Sequence, residues 1–339
     1  MKLQISAITM TLTILCGNAF ATSLPGPVVD TAWLSKNLAE VQVVDVRSNA
    51  KSFITQAEFE TDKKTGKKTL VEVGGHIPGA VFVPFKAIRA DRMENGQKLS
   101  YMLPEKAAFE KLMQTSSLVA GKPIVLVSAS QNALDVDEAL RLYWQLKYFG
   151  EDQVAVLNGG MAAWLAEGRD VVVTPAPVTA GNWKATAERK ELVATSEDVA
   201  SAEHNKVQLV DARNGAQFLG LGKREYVSAF GHIKGAHLVT PDVLFKNEGP
   251  AVKFYSADTY RSIYTMSGIQ PDAPSVAYCN SGHLAAGPWF IQHELLGNQH
   301  VQLYDGSMHK WTLEKRPVES VAVAAMPATC SVGANTPGC

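Results

Sequence analysis

Cys279 lies within the stretch with the greatest chemical potential in the chain, Pro-Ser-Val-Ala-Tyr-Cys-Asn-Ser-Gly-His-Leu-Ala-Ala-Gly between Pro274 and Gly287. The apolar run Val276 to Tyr278 reads as a buried strand that delivers the cysteine to a small-residue turn. A helical pattern follows from about Leu284 to Leu296. A cysteine between a strand end and a helix start faces unpaired backbone N–H groups and the positive end of a helix dipole. Both favour thiolate over thiol, and the thiolate is the nucleophile. Gly282 supplies a tight curl, because glycine accepts positive φ. The plain alternative is a structural cysteine, since buried thiols are common in cores. The choice between them depends on the rest of the chain.

With 339 residues the chain is long enough for two domains, each able to bury a core. Apolar residues make up 46% and charged residues 19%, the balance of a soluble globular protein. The formal net charge of -1 points neither to nucleic acid nor to an acidic membrane surface.

The first segment stands apart. Lys2, an apolar stretch to Leu15 and then Ala19-Phe20-Ala21 make a signal peptide over residues 1–21, with the mature chain starting near Thr22. The apolar run is too short and too rich in threonine to span a membrane. Leu15 is bulkier than the residue that lipoprotein processing at Cys16 prefers. Export, most simply to a bacterial periplasm, is the expected address, with no stable membrane anchor. Cleavage leaves Cys279 and, in a Gly/Ala/Pro-rich tail, Cys330 and Cys339; in an oxidising compartment the tail pair can close a small disulfide and leave Cys279 as the odd thiol.

Two copies of one pattern fill the mature chain. In the first, Val41 to Arg47 reads as a strand ending in Asp45-x-Arg47, followed by a charged loop at Thr61 to Lys68. Then come the turn Gly75-His76-Ile77-Pro78-Gly79-Ala80 and the strand Pro123 to Val127. A helix from about Asp135 to Phe149 stops at Gly150, and a strand Val154 to Leu157 leads to Gly159 and Trp164. In the second copy Asp211-x-Arg213, Gly231-His232-Ile233, Pro274, Gly297, Gly306 and Trp311 answer in the same order. The last three pairs share one offset of 147 residues, so that portion aligns without gaps. Thr174 to Val178 is a proline-rich linker candidate. Short apolar strands alternating with helices indicate an α/β fold with a mostly parallel sheet in each half, where ligands sit beyond the carboxyl ends of the strands.

Asp-x-Arg, Gly-His-Ile-x-Gly-Ala and Gly-x-x-x-x-Trp, in that order and twice over, with a strand-end Cys-x-x-Gly loop in the second copy, resemble a tandem rhodanese-type sulfurtransferase of the thiosulfate/3-mercaptopyruvate family. The resemblance covers nearly the whole mature chain. It implies two rhodanese-like domains with the active cysteine on the second, and no metal or organic cofactor. The expected layout is an inactive first domain over 22–173, a linker over 174–190, a catalytic domain over 191–319 and a tail over 320–339.

The two copies serve as an internal control. Aligning Pro123 with Pro274 sets Ser128 opposite Cys279, so only the second copy carries a cysteine. Features common to both copies read as scaffold: Asp45, Arg47, Asp211 and Arg213 tie strand ends to loops, and His76 and His232 satisfy buried backbone groups. The minority reading of His232 is as an acid/base group. Ser128 lacks an evident activating His/Asp pair. The resemblance implies that the Cys279 thiolate takes the outer sulfur of a donor as a persulfide, cradled by the amides of Asn280, Ser281, Gly282, His283, Leu284 and Ala285. A thiol or cyanide acceptor then removes it. The loop departs from the usual patterns in carrying Asn280 and Ser281 after the cysteine, His283 fourth and no fixed positive charge. Lys223 and Arg224 are therefore the candidates to bind an anionic donor; their alternative is that of two solvated surface charges. A phosphatase of this fold needs Cys-x5-Arg, and the sixth position here is Ala285. A non-catalytic rhodanese-like binding or redox-partner protein is the second class of reading, to which an intact Cys-x-x-Gly turn is superfluous.

Overall fold

The computed structural model describes residues 23–321, so the leader 1–21 and the tail residues Cys330 and Cys339 lie outside the described residues. Each copy folds around a parallel sheet. In the first the order from one edge is Val28–Val29, Val154–Leu157, Ile124–Val127, Gln42–Arg47 and Val81–Pro84. In the second it is Val301–Leu303, Ser275–Tyr278, Gln208–Asp211 and Ala236–Leu238. The four strands correspond one to one, and an isolated parallel bridge from Val193 to Leu303 stands where the first copy has its edge strand. Ile124–Val127, Val154–Leu157 and Ser275–Tyr278 are buried at every position, as continuous apolar strands covered on both faces must be.

The repeated motifs make the same bonds twice. Trp164 Nε1 donates to Asp170 O and Trp311 Nε1 to Pro317 O, both at 2.8 Å. His76 stacks on Phe53 and pairs through Nδ1 with its carbonyl at 2.8 Å; His232 does the same with Phe218 at 2.7 Å. Arg47 grips Asp45 and donates to Gly75 O, while Arg213 grips Asp211 and donates to Gly231 O at 2.9 Å. These buried forks fasten each Gly-His-Ile turn to the end of its neighbouring strand.

One helix joins the halves. Ala133–Tyr148 is capped by a reciprocal pair, Asn132 accepting from Asp135 N while Asp135 accepts from Asn132 N. Twelve of its sixteen residues are buried, because one side lies on its own sheet and the other on the second copy. Its second contact is the helix Ala286–Phe290, where Tyr143 meets Phe290 edge to face at 4.8 Å and donates to Glu294 at 2.9 Å. Burying a side chain such as Leu140 or Leu142 contributes roughly 1.5–3 kcal/mol. The apolar core consequently runs without a break across the two domains.

Two expectations change in detail. The charged loop at Thr61 to Lys68 is the tip of an exposed hairpin, Glu58–Thr61 with Lys68–Glu72. The proline-rich linker continues into a strap bound along the first copy: Gly181 N donates to Gln114 O at 2.9 Å, Asn182 N to Leu118 O at 3.0 Å, and Trp183 is 1% exposed against Phe109. Trp183 and these backbone bonds anchor the strap on the first copy.

Candidate active site

The strand Ser275–Tyr278 ends directly in Cys279, which is 2% exposed. The helix that follows begins at Ala286, two residues later than its apolar pattern indicated, and passes into a π-helical turn over Ile291–Leu295. Between them the loop is shaped by residues outside it. Ser307 Oγ accepts from Cys279 N at 3.0 Å and from Gly282 N at 3.1 Å, and donates to Tyr304 O at 2.8 Å. Gly282 adopts φ 74°, and a Cβ there would lie 2.5 Å from Arg141 Nη1 and 2.7 Å from Asp305 Oδ1. Glycine is required at that position for its backbone conformation and for space.

The amides of Asn280, Ser281, His283, Leu284 and Ala285 have no hydrogen-bond partner among the described residues, whereas those of Cys279 and Gly282 are spent on Ser307. Within the amide cradle expected over Asn280–Ala285, Gly282 N is thus bonded to Ser307, and its carbonyl accepts from Arg141 Nη1 at 3.0 Å. Ala285 is fully buried. Asn280 turns its Nδ2 onto Gln217 at 2.8 Å and leaves Oδ1 buried, with no hydrogen-bond partner among the described residues. Ser281 Oγ pairs with the hydroxyl of Tyr226 at 3.3 Å.

Above Cys279 lies a cavity of about 280 Å³ bounded by Asn280, Ser281, His283 and Leu284 on one side and by Arg224 and Tyr226 on another. The first copy closes it with Arg89, Tyr101 and Leu134. A second lobe of about 350 Å³ shares Leu134, Arg224, Asn280 and Leu284 and extends to Asn214, Gln217 and Asp242. Of the two candidate cations, only Arg224 lines these spaces. Lys223 donates to Val227 O at 2.8 Å and rests 5.5 Å from the Phe230 ring centroid, so it braces its own loop. Asp211, Arg213 and His232 lie behind the strand ends, engaged as described above.

His283 packs on Phe85 with ring centroids 4.4 Å apart, and its Nε2 has no hydrogen-bond partner among the described residues. Burial, reinforced by the charges of Arg89 and Arg141, pushes its pKa down to about 3, so the imidazole is neutral at physiological pH. His309 bonds Tyr226 O through Nδ1 at 2.8 Å and accepts from Ser100 N through Nε2 at 3.1 Å, which fixes Tyr226 against the first copy. Burial pushes the Tyr226 phenol up, keeping it protonated.

Ser307 escaped the sequence reading although the internal control contained its signal. It stands one offset of 147 residues from Gly160, and both have φ 48°. In the first copy a Cβ at Gly160 would lie 2.4 Å from Ser130 Oγ, and Ser128 bonds Ser130 at 2.9 Å. The Ser128/Cys279 correspondence holds in the backbone: Met161 N donates to Ser128 O as Met308 N does to Cys279 O. The second copy thus differs by a cysteine and by a hydroxyl that turns two amides. Arg89, Tyr101, Arg141 and Asp305 were also missed, and nothing local marks them.

Comparison with known proteins adds a family to this geometry. The model of the rhodanese-like domain matches residues 30–167 and again 196–314. The chain belongs to the rhodanese-like family. Among its relatives, a putative thiosulfate sulfurtransferase of Haloferax volcanii is 28% identical over 77% of this chain and 91% of that protein. The 3-mercaptopyruvate sulfurtransferase of Escherichia coli strain K12 is 26% identical over 86% and 98%, and the thiosulfate sulfurtransferase of Bos taurus 26% over 84% and 91%. The crystal structure of the Escherichia coli 3-mercaptopyruvate enzyme SseA superposes with a TM-score of 0.66 at 26% identity, covering 83% of this chain and 98% of that one. The rhodanese-like protein described here is a sulfurtransferase with two such domains.

Proposed function

We propose that the protein moves a sulfane sulfur from a small anionic donor, thiosulfate or 3-mercaptopyruvate, through a persulfide on Cys279 to cyanide or a thiol. The observation that carries this is the cysteine at a strand end, beneath a cavity edged by free amides and by guanidinium groups. With thiosulfate, the Cys279 thiolate attacks the outer sulfur, the donor's S–S bond breaks and sulfite leaves with the electron pair. The acceptor then attacks the terminal sulfur, and the bonding pair returns to Cys279 as thiolate. Asn280, Ser281, His283, Leu284 and Ala285 offer N–H groups to the anionic sulfur, and neutral His283 adds no charge. Arg224, at the rim, faces the anionic end of the donor.

Donor treatment should raise the mass of the full chain by one sulfur atom, and Cys279→Ser should abolish both this gain and turnover. Ser128→Ala should leave the rate almost unchanged. A sulfur gain that persists in Cys279→Ser would sink the reading. A donor panel of thiosulfate against 3-mercaptopyruvate, with cyanide and small thiols as acceptors, identifies the substrates. Export to a periplasm is part of the same proposal and rests on Lys2, the apolar run and Ala19-Phe20-Ala21. N-terminal sequencing of protein from the cell envelope should begin near Thr22, and an intact Met1 counts against it.

A further inference from the structure

We propose that Arg89, carried by the first domain, is the principal contact for the anionic group of the sulfur donor, facing Arg224 across the domain boundary. This rests on the persulfide reading and extends it: specificity for anionic donors is then a property of both domains together.

Arg89 lines the same 280 Å³ cavity as Cys279. Its guanidinium lies 4.3 Å from the ring centroid of Phe85 and 4.9 Å from that of Tyr101. Aromatic stacking holds the plane of the fork and leaves its N–H edge for an acceptor. Its Nε is buried and has no hydrogen-bond partner among the described residues. Arg89 is half-buried, whereas the fully buried arginines are answered: Arg47 by Asp45, Arg213 by Asp211 and Arg141 by Asp305. Among the described residues, neither Arg89 nor Arg224 has a carboxylate within ion-pair distance. Burial first, and then the charge of Arg141, push the pKa of Arg89 down, so the group is held at a cost that a bound anion relieves. Arg224 is exposed, and Arg89 is the more desolvated of the two. A charge-assisted bond from it gains more than one made in open solvent. The loop itself supplies no charge, because His283 is neutral, so this pair provides the cations that an oxyanion donor needs.

The test uses the full chain and two alkylating probes of nearly equal shape, anionic iodoacetate and uncharged iodoacetamide. In each case the Cys279 thiolate displaces iodide to form a thioether, followed on the Cys279 peptide by mass spectrometry. Arg89→Gln should lower the iodoacetate-to-iodoacetamide rate ratio about tenfold, the loss of one charged hydrogen bond. Arg89→Lys, which keeps the charge without the fork, should recover part of it. In parallel, kcat/KM for thiosulfate should fall about tenfold to a hundredfold in Arg89→Gln. An unchanged ratio overturns the proposal. So does an equal fall with both reagents, which would make Arg89 a prop for the loop. Wild-type protein that keeps the ratio yet gains no sulfur from either donor sinks the persulfide reading while leaving the anion site supported.

Discussion

Arg141 of the first domain lies 2.6 Å from Asp305 of the second, and both are buried. Arg141 also donates to Gly282 O, while Asp305 Oδ2 accepts from Leu103 N at 2.7 Å. The domain without a cysteine thus holds the loop of the domain that has one. Arg141→Met leaves Asp305 buried without its counter-charge and should cost about 3–5 kcal/mol of stability by denaturant unfolding. Arg141→Met with Asp305→Asn should regain part of that loss, since the stranded charge is gone, but not sulfur transfer. Full activity in the double variant would show that the loop holds its shape unaided.

Ser307 is the hydroxyl that fixes the entrance to the loop. Ser307→Ala strands two buried amides and should cost about 1–3 kcal/mol. Ser307→Gly relieves the left-handed backbone, so its stability should exceed that of Ser307→Ala. Both should transfer sulfur at least about tenfold more slowly, equivalent to roughly 1.4 kcal/mol of barrier. A Ser307→Gly enzyme with wild-type turnover would remove the hydroxyl from the account of the loop.

The pH dependence of stability separates His283 from its surroundings. With its pKa pushed down to about 3 in the folded state against 6.5 as its ordinary value, the unfolded chain binds the extra proton first as pH falls. Stability contributed by neutral His283 is complete above pH 6.5 and is lost as pH drops toward 3. Glu138 acts oppositely, since burial raises it to about 7 and its protonated form favours the fold as pH falls below that value. The difference between wild type and His283→Phe isolates the histidine. It should shift against wild type by up to about 1.4 kcal/mol per pH unit below 6.5. A pH-independent difference would mean that the ring takes up its proton alike in the folded and unfolded chain, against the effect of burial. Because it is neutral, His283→Ala should slow transfer about tenfold or less.

Deletion of the tail should be tolerated only from a later point than the repeat pattern implied. Glu319 exchanges backbone bonds with His232 at 2.8 Å each way, and Val321 N donates to Leu219 O at 3.0 Å. A chain ending at Val321 should keep full transfer. One ending at Val318 loses the strand partner of the Gly-His-Ile turn and should melt several degrees lower. If the Val321 truncation is folded but inactive, Cys330 and Cys339 belong to the reaction.

The sequence by itself determined the two α/β domains, the strand that ends at Cys279, the Gly150 stop and the pairing of Ser128 with Cys279. All of these follow from local features: apolar runs, turn residues and a constant offset between copies. Ser307 was legible by the same comparison, as the hydroxyl that replaces Gly160, but its use is a matter of reach across 28 residues to Cys279 N. The tertiary structure alone decided that Lys223 bonds its own loop, that Gly282 N is bonded to Ser307, that Arg89 lines the cavity above Cys279 and that Arg141 bonds Gly282 O. The reason is physical. The helix Ala133–Tyr148 and the Phe85–Arg89 segment carry no pattern that names their partner, because an arginine's charge is satisfied through space by whichever group the packing of two sheets brings within a few ångströms. In this molecule that packing sets Arg141 against Asp305 and, among the described residues, leaves Arg89 without a carboxylate within ion-pair distance, at the cavity above Cys279.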